Sequence, residues 1–78
     1  MITRSRMIKG FVLADRGEYV CNCEERGDYF LSGSDADLQH VEIFSTQGVA
    51  EEALDVMKRR WKRDFVIVPA TWTVKLET

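Results

Sequence analysis

The densest group of chemically active side chains in this 78-residue sequence is a basic run at residues 58–63. Five bases surround one tryptophan in that run: Lys58, Arg59, Arg60, Lys62 and Arg63 around Trp61. Closely spaced cations can neutralise nucleic-acid phosphates, and an aromatic ring can stack on a base. Bases are also favoured at the C-terminal end of a helix, where they offset the helix dipole. The run therefore has two interpretations, a nucleic-acid contact and a helix end.

Acidic side chains are concentrated in the middle of the chain. From Asp15 to Asp55 there are 11 acids and two bases, a charge of −9, whereas the whole chain carries −2. An acidic surface can dock on a basic one, with charge setting the encounter rate and aromatic anchors supplying affinity. We predict a candidate protein-binding surface at the turns and the polar loop: Glu18, Tyr19, Glu24, Glu25, Asp28, Tyr29, Asp35 and Asp37. The alternative is a solvated surface that keeps the protein in solution.

The thiols, the single histidine and the glycines do not form a catalytic pattern. Cys21 and Cys23 lie two apart in an extended segment, so their side chains point the same way and pair poorly as a disulfide. His40 lacks the partners of a catalytic triad, and a zinc site lacks ligands. The glycine spacing matches no phosphate-binding loop. We expect free thiols, no metal, no cofactor and no enzymatic activity.

Three runs of strand-forming residues occupy the first half of the chain. Residues 7–15 and 18–24 flank Asp15-Arg16-Gly17, a short connection whose glycine can close a hairpin. Residues 25–28 repeat this turn chemistry before a third run at residues 29–32. The pattern predicts an antiparallel meander followed by a polar surface loop at residues 32–37.

One amphipathic helix is predicted after that loop. Ser45 and Thr46 supply hydroxyls that can cap its first turn, and the helix runs to about Lys62. Its apolar residues recur at helical spacing, so one face is expected to meet a core. The members of this stripe are Ala50, Leu54, Met57 and Trp61, flanked by Val49, Ala53 and Val56.

A long strand is predicted at residues 65–77. Its even-numbered positions are apolar from Val66 to Leu76, so we expect the even side to face the core. Phe65 and Ile67 lie on the odd side and need a second cover. Pro69 cannot donate a main-chain hydrogen bond, which predicts an edge strand or a bend.

The order βββαβ predicts one α+β domain over residues 1–78, with residues 1–6 as a flexible N-terminal arm. A mostly antiparallel sheet, formed by the N-terminal meander and the long C-terminal strand, packs one helix on one face. The other face is left for solvent or a partner, and a homodimer that covers it or extends an edge strand would add stability. No apolar run is long enough for a membrane span and no signal peptide is recognised, so we expect a cytoplasmic protein without a membrane partner.

Two segments carry a resemblance to known proteins. In residues 43–54 an aromatic residue and Ser45-Thr46 precede an alanine-containing helix, and residues 66–76 combine Val68-Pro69 with alternating apolar positions. With the hairpin, this layout over residues 8–77 resembles small phage- and prophage-encoded proteins of unknown function. The resemblance implies an accessory protein of the host cytoplasm without catalytic residues. Some phage proteins of this size, including anti-CRISPR proteins, inhibit a host complex by binding it.

These observations favour two functions. The first is protein–protein binding through the acidic surface, inhibiting a host complex. The alternative is a nucleic-acid-binding module that uses the basic run, which Arg4, Arg6 and Lys9 extend if the first strand lies near the helix end.

Overall fold

A computed structural model describes residues 3–77 of the chain. Within them the chain forms four strands, one α-helix and one 3₁₀ helix. In chain order these are β1 (Thr3–Asp15), β2 (Glu18–Cys23), β3 (Asp28–Ser32), the 3₁₀ helix (Asp35–His40), α1 (Gln47–Trp61) and β4 (Val66–Glu77). The four strands make one antiparallel sheet in the order β3-β2-β1-β4, so the predicted α+β class and βββαβ order are confirmed.

The meander forms because its turns contain residues with positive φ. Arg16 has φ 51° and Gly17 has φ 79°, which is the conformation of a two-residue hairpin turn between β1 and β2. Gly27 has φ 69° in the turn between β2 and β3, where its N–H donates to the carbonyl of Cys23 at 3.1 Å. The predicted hairpins are therefore confirmed by the strand pairing.

The proline in β4 is tolerated because of its position at the edge of the sheet. Phe11 both donates to and accepts from the main chain of Phe44, on the side of β1 away from β4. Phe11 lies opposite Pro69, so this is a non-hydrogen-bonded pair and the nitrogen of Pro69 points to the free edge. The predicted edge position of this strand is confirmed.

Residues 41–44 fill a gap between β1 and β2. The ladder between these two strands ends after two residue pairs. Beyond it, Val41 bridges to Cys21 on β2 and Phe44 bridges to Phe11 on β1. The segment therefore supplies main-chain partners to both strands where they separate.

Gly10 allows this segment to lie close to β1. A Cβ atom at this position would lie 2.7 Å from Ile43 Cγ2 and 2.8 Å from the Phe44 carbonyl oxygen. Both contacts are too short for any side chain, so the close approach depends on glycine.

Helix α1 begins and ends where the sequence predicts. The hydroxyl of Thr46 accepts from the N–H of Val49 at 3.2 Å, and Lys62 ends the helix with φ 52°. The helix covers one face of the sheet, and the buried side chains between them form the core: Leu13, Val20, Phe44, Ala50, Met57 and Phe65. Leu54 and Trp61 of the predicted stripe pack against that core, whereas Val49 and Val56 are exposed.

The prediction that the even side of β4 faces the core is wrong. Phe65 is 2% exposed and Ile67 packs on the core, while Val66 and Val68 are 58% and 36% exposed. Ile67 lies opposite the fully buried Leu13 of β1, so the register with β1 turns the odd side toward α1. Because residues 65–68 are apolar on both sides, alternation alone could not identify the core side.

One end of the β1–β4 pair extends beyond the core as a two-stranded segment, which we call the ribbon (residues 3–9 and 71–77). From Arg4 to Lys9 and from Thr71 to Leu76 no residue is fully buried. The radius of gyration is 13.8 Å, against about 11.5 Å for a compact chain of this length. Residues 3–6 of the predicted flexible arm are part of β1 and pair with β4, while Met1 and Ile2 lie outside the described residues.

Candidate protein-binding surfaces

The predicted acidic surface is divided between the two ends of the β2–β3 hairpin. Glu24 and Glu25 are exposed in the turn after β2, and Asp35 and Asp37 belong to the 3₁₀ helix after β3. β3 has five residues, so the two groups are separated by roughly 17 Å at about 3.3 Å per residue. They therefore form two acidic sites rather than one face.

Two further members of the acidic set are paired with bases at the end of α1. Arg60 donates through Nη2 to Oδ2 of Asp28. Arg63 donates from Nε to Oδ2 of Asp15 at 2.7 Å and from Nη1 to Oε1 of Glu18 at 2.9 Å. Its Nη2 also donates to the main-chain oxygen of Asp15 at 3.1 Å. The acidic hairpin and the basic run therefore neutralise part of each other within one molecule.

These contacts hold both partners in their charged forms. The hydrogen bond from Arg60, together with the N–H of Tyr29, lowers the pKa of the Asp28 carboxyl. Hydrogen bonds to Asp15 and then to Glu18 raise the pKa of Arg63. The side chains of Arg63 and Asp15 are only 24% and 13% exposed, so this pair fastens the helix end to the first hairpin.

The basic run keeps few cations available for phosphate. Arg59 pairs with Asp55 across one helical turn at 2.7 Å, in addition to the pairs that Arg60 and Arg63 make. Within residues 3–77, no ion pair involves Lys58 or Lys62, and both are exposed. Most of the positive charge predicted for a nucleic-acid contact is therefore already engaged.

Two other parts of the predicted nucleic-acid patch lie elsewhere. Trp61 packs edge-to-face on Phe65, with ring centroids 6.0 Å apart, at the margin of the core. Arg4, Arg6 and Lys9 lie in the ribbon, whereas the helix end contacts the opposite end of β1 at Asp15. These three bases therefore do not extend the basic run.

The two tyrosines of the predicted set lie on opposite faces of the sheet. Tyr29 packs against the core beneath α1. Tyr19 lies opposite Ala14 and Ser32 and lines a groove on the other side, which we call the open face. Only Tyr19 is therefore positioned to contact a partner at the open face.

The open face contains an apolar groove of about 280 Å³. Side chains of the sheet and of the segment after β3 line it, including Val12, Tyr19, Leu38, Ile43, Val68 and Trp72. A neighbouring depression shares Leu38, Ile43 and Trp72 with the groove and is bordered by Asp35. Sequence reasoning missed this surface because it assigned the even side of β4 to the core. The signal was the apolar character of residues 65–68 on both sides of the strand.

The cysteines are free thiols, as predicted. Cys21 is buried and Cys23 is half-buried on the same side of β2. Burial, and then the charge of Asp37, raises the pKa of the Cys21 thiol, so it stays protonated near neutral pH. His40 contacts Phe30 edge-to-face at 6.5 Å between ring centroids. No group of three or more His, Cys, Asp or Glu side chains in the described part of the chain could hold a metal ion.

Comparison with known proteins gives no match: no family model, no curated protein and no solved structure matches this chain. In the part of the chain that the structure describes, no helix is both long enough and apolar enough to cross a membrane. The resemblance to phage-encoded proteins and the binding role of the acidic residues therefore stay predictions.

Proposed function

We propose that this protein is a non-enzymatic binding module that meets another protein through its open face. The supporting observation is the apolar surface along β4. Val66 and Leu76 are 58% and 56% exposed, and Val68 lies between them beside the groove that includes Trp72. Contiguous apolar surface of this kind is typical of interaction sites, and a groove can accept an anchoring side chain from a partner.

The charge at the rim of the groove indicates the chemistry of that partner. Asp35 is exposed and borders the depression beside Trp72. A partner segment with an apolar side chain for the groove and a basic residue for Asp35 would complement both features. Glu24 and Glu25 lie farther away, so their contribution is to the rate of encounter rather than to the contact itself.

The biological setting that we propose follows the resemblance. A small phage- or prophage-type accessory protein would act in the host cytoplasm and inhibit a host complex by occupying one of its surfaces. This role needs no catalytic group in the chain. It needs a partner surface that is apolar at its centre and basic at its rim.

Two exposed valines on different surfaces allow a matched test. Val66→Lys changes the open face, and Val56→Lys changes the outer side of α1, where the native valine is 53% exposed. Affinity capture from a bacterial lysate, followed by titration of the purified partner, measures the effect. We expect Val66→Lys to weaken binding by at least about tenfold and Val56→Lys to leave it unchanged. Equal effects, or loss only on charge reversal at Glu24 and Glu25, would contradict binding through the open face.

The alternative function, nucleic-acid binding by residues 58–63, has weaker support because three of its five bases are in ion pairs. Titration with labelled DNA and RNA at low and moderate salt tests it directly. We expect no binding even at low salt, where phosphate contacts are strongest. Low-salt binding that disappears in a Lys58→Ala, Lys62→Ala double variant would favour the alternative instead.

A further inference from the structure

The outer edge of β4 carries main-chain groups without a neighbouring strand in residues 3–77. Since Phe11 and Pro69 form a non-hydrogen-bonded pair, the odd-numbered residues of β4 direct their N–H and C=O groups away from β1. In the ribbon these outward-facing residues include Thr71, Thr73 and Lys75. This row of donors and acceptors is a template for another strand.

The ribbon needs such a strand more than the rest of the sheet does. Two isolated strands are marginally stable in water, whereas three or more strands support one another. Its side chains from Arg4 to Lys9 and from Thr71 to Leu76 are exposed or half-buried, so little core packing holds it. The usual protections of an edge are sparse, because Pro69 lies at the base of the ribbon and Lys75 is the one charged residue from 70 to 76.

The other edge of the ribbon is less suited to pairing. The β1 segment from residue 3 to residue 9 contains Arg4, Arg6 and Lys9. Antiparallel pairing of this segment with a second copy of itself would bring like charges together, which destabilises a strand pair. Pairing β1 of one copy with β4 of the next would not close, and would produce an open-ended chain of molecules. The edge of β4 is therefore the one that can form a closed pair.

We propose that a second copy of this chain supplies the missing strand, with β4 pairing antiparallel to β4 of the second copy around a two-fold axis at Thr73. Thr73 then lies opposite itself, Thr71 lies opposite Lys75 of the second copy, and Pro69 falls at the ends of the ladder. A two-fold axis at Lys75 would oppose two ammonium groups. An axis at Thr71 would bring Pro69 into the centre of the ladder.

The side chains on the open face support this register. Trp72 lies opposite Val74 of the second copy, and Leu76 lies opposite Ala70, which are apolar cross-strand pairs. Arg6 is the neighbour of Val74 across the ribbon, so Arg6 of the second copy lies two strands from Trp72, about 10 Å away. Asp35 borders the depression beside Trp72, so the basic ribbon of each copy approaches an acidic residue of the other.

This pairing joins the two sheets edge to edge and leaves both open faces on the same side. The dimer does not depend on the proposed function, because the pairing uses outward-facing main-chain groups of β4, whereas the function uses the apolar side chains of the groove. If both hold, the dimer presents two grooves and binds two copies of a partner segment.

The Thr73→Pro variant tests pairing at the outer edge of β4 while leaving the pairing of β1 with β4 intact. In Thr73→Pro the lost N–H points outward, so the hydrogen bonds between β1 and β4 remain, as they do at Pro69. Light scattering after gel filtration should give twice the 9.0 kDa chain mass for the wild type and a single chain mass for Thr73→Pro. Thr73→Val keeps the N–H and should stay dimeric. A wild type of single chain mass at every concentration, or a dimeric Thr73→Pro, would overturn the proposal.

A crosslinking test does not require a proline variant to fold. In the proposed register the two copies of residue 73 face each other with Cα atoms about 5.5 Å apart, within the range of a disulfide. In a Cys23→Ser background, Thr73→Cys should form a covalent dimer under mild oxidation, while Thr71→Cys should not because it faces Lys75. Both native threonines are exposed on the same strand, which makes them matched sites. Equal crosslinking of the two variants, or no crosslinking of Thr73→Cys, would contradict the pairing.

Discussion

The two ends of the β1–β4 pair differ in what covers them on the side that faces α1. At one end Leu13 lies opposite Ile67, Leu13 is fully buried, and both contact the helix-side core. At the other end Met7 lies opposite Thr73, and Met7 is 68% exposed. The two strands pair in one continuous register at both ends, so the difference comes from what packs against them: α1, Val20 of β2 and Phe44 contribute to the core at the first end only. Strand pairing in this protein therefore extends farther than its core, and the ribbon requires stabilisation from another source.

The strongest test of this difference compares Phe65, which directly precedes β4, with Val66, the first residue of β4. Phe65→Ala removes a buried ring from the core and should lower the free energy of unfolding by about 3–5 kcal/mol. Val66→Ala, on the open face, should cost less than about 1 kcal/mol. Urea denaturation of both variants measures the contrast. Similar losses at the two positions would mean that the open face is also part of the core.

The junction between the core and the ribbon can be tested at Gly10. Gly10→Ala places a methyl group against Ile43 and the Phe44 carbonyl, so overpacking should lower the free energy of unfolding by about 1–3 kcal/mol. Gly48→Ala is the matched control, because a Cβ atom there meets nothing within 4 Å and alanine favours the helix. Thermal unfolding should show a lower melting temperature only for Gly10→Ala. An unchanged melting temperature would show that the close approach of residues 43–44 does not matter for stability.

A smaller effect concerns the ion pair between Asp28, at the start of β3, and Arg60, near the end of α1. The pKa of Asp28 is lowered in the folded protein relative to about 3.9 for a free aspartate. Its contribution to stability is therefore present above that pH and is lost as the pH falls through the folded-state pKa. Asp28→Asn should reduce the loss of stability on acidification below about pH 4.

Denaturation at a series of pH values measures this dependence, with Glu52→Gln on the exposed side of α1 as the control. Asp28→Asn should differ from the wild type only near neutral pH, and the two should converge in acid. Parallel curves for Asp28→Asn and the wild type would contradict a stabilising role for the Asp28–Arg60 pair.

Local features of the fold could be predicted from the sequence because their causes lie within a few residues. Thr46 caps α1 through the N–H of Val49, three residues away, and Pro69 marks an edge because it has no N–H of its own. The glycine-containing turns likewise determine the first two hairpins. In these cases the residue type restricts the main chain directly.

Features that depend on distant residues could not be predicted. The side of β4 that faces α1 is set by its register with β1, so the alternation of apolar residues predicts the wrong side and leaves Phe65 and Ile67 outside the core. Arg63 and Asp15 are 48 positions apart in the sequence, and their pairing follows from where the helix ends over the sheet. The groove on the open face is formed by these long-range placements, so no local sequence pattern predicts it.

Amide hydrogen exchange resolved by residue is the most direct test of strand pairing at the edge of β4. In a single chain the outward-facing amides of Thr71, Thr73 and Lys75 exchange freely, while those of Trp72 and Val74 are protected by β1. With increasing protein concentration we predict that exchange slows at the three outward-facing amides and changes much less at the two inward-facing ones. Exchange at the outward-facing amides that stays fast and independent of concentration would contradict pairing at this edge.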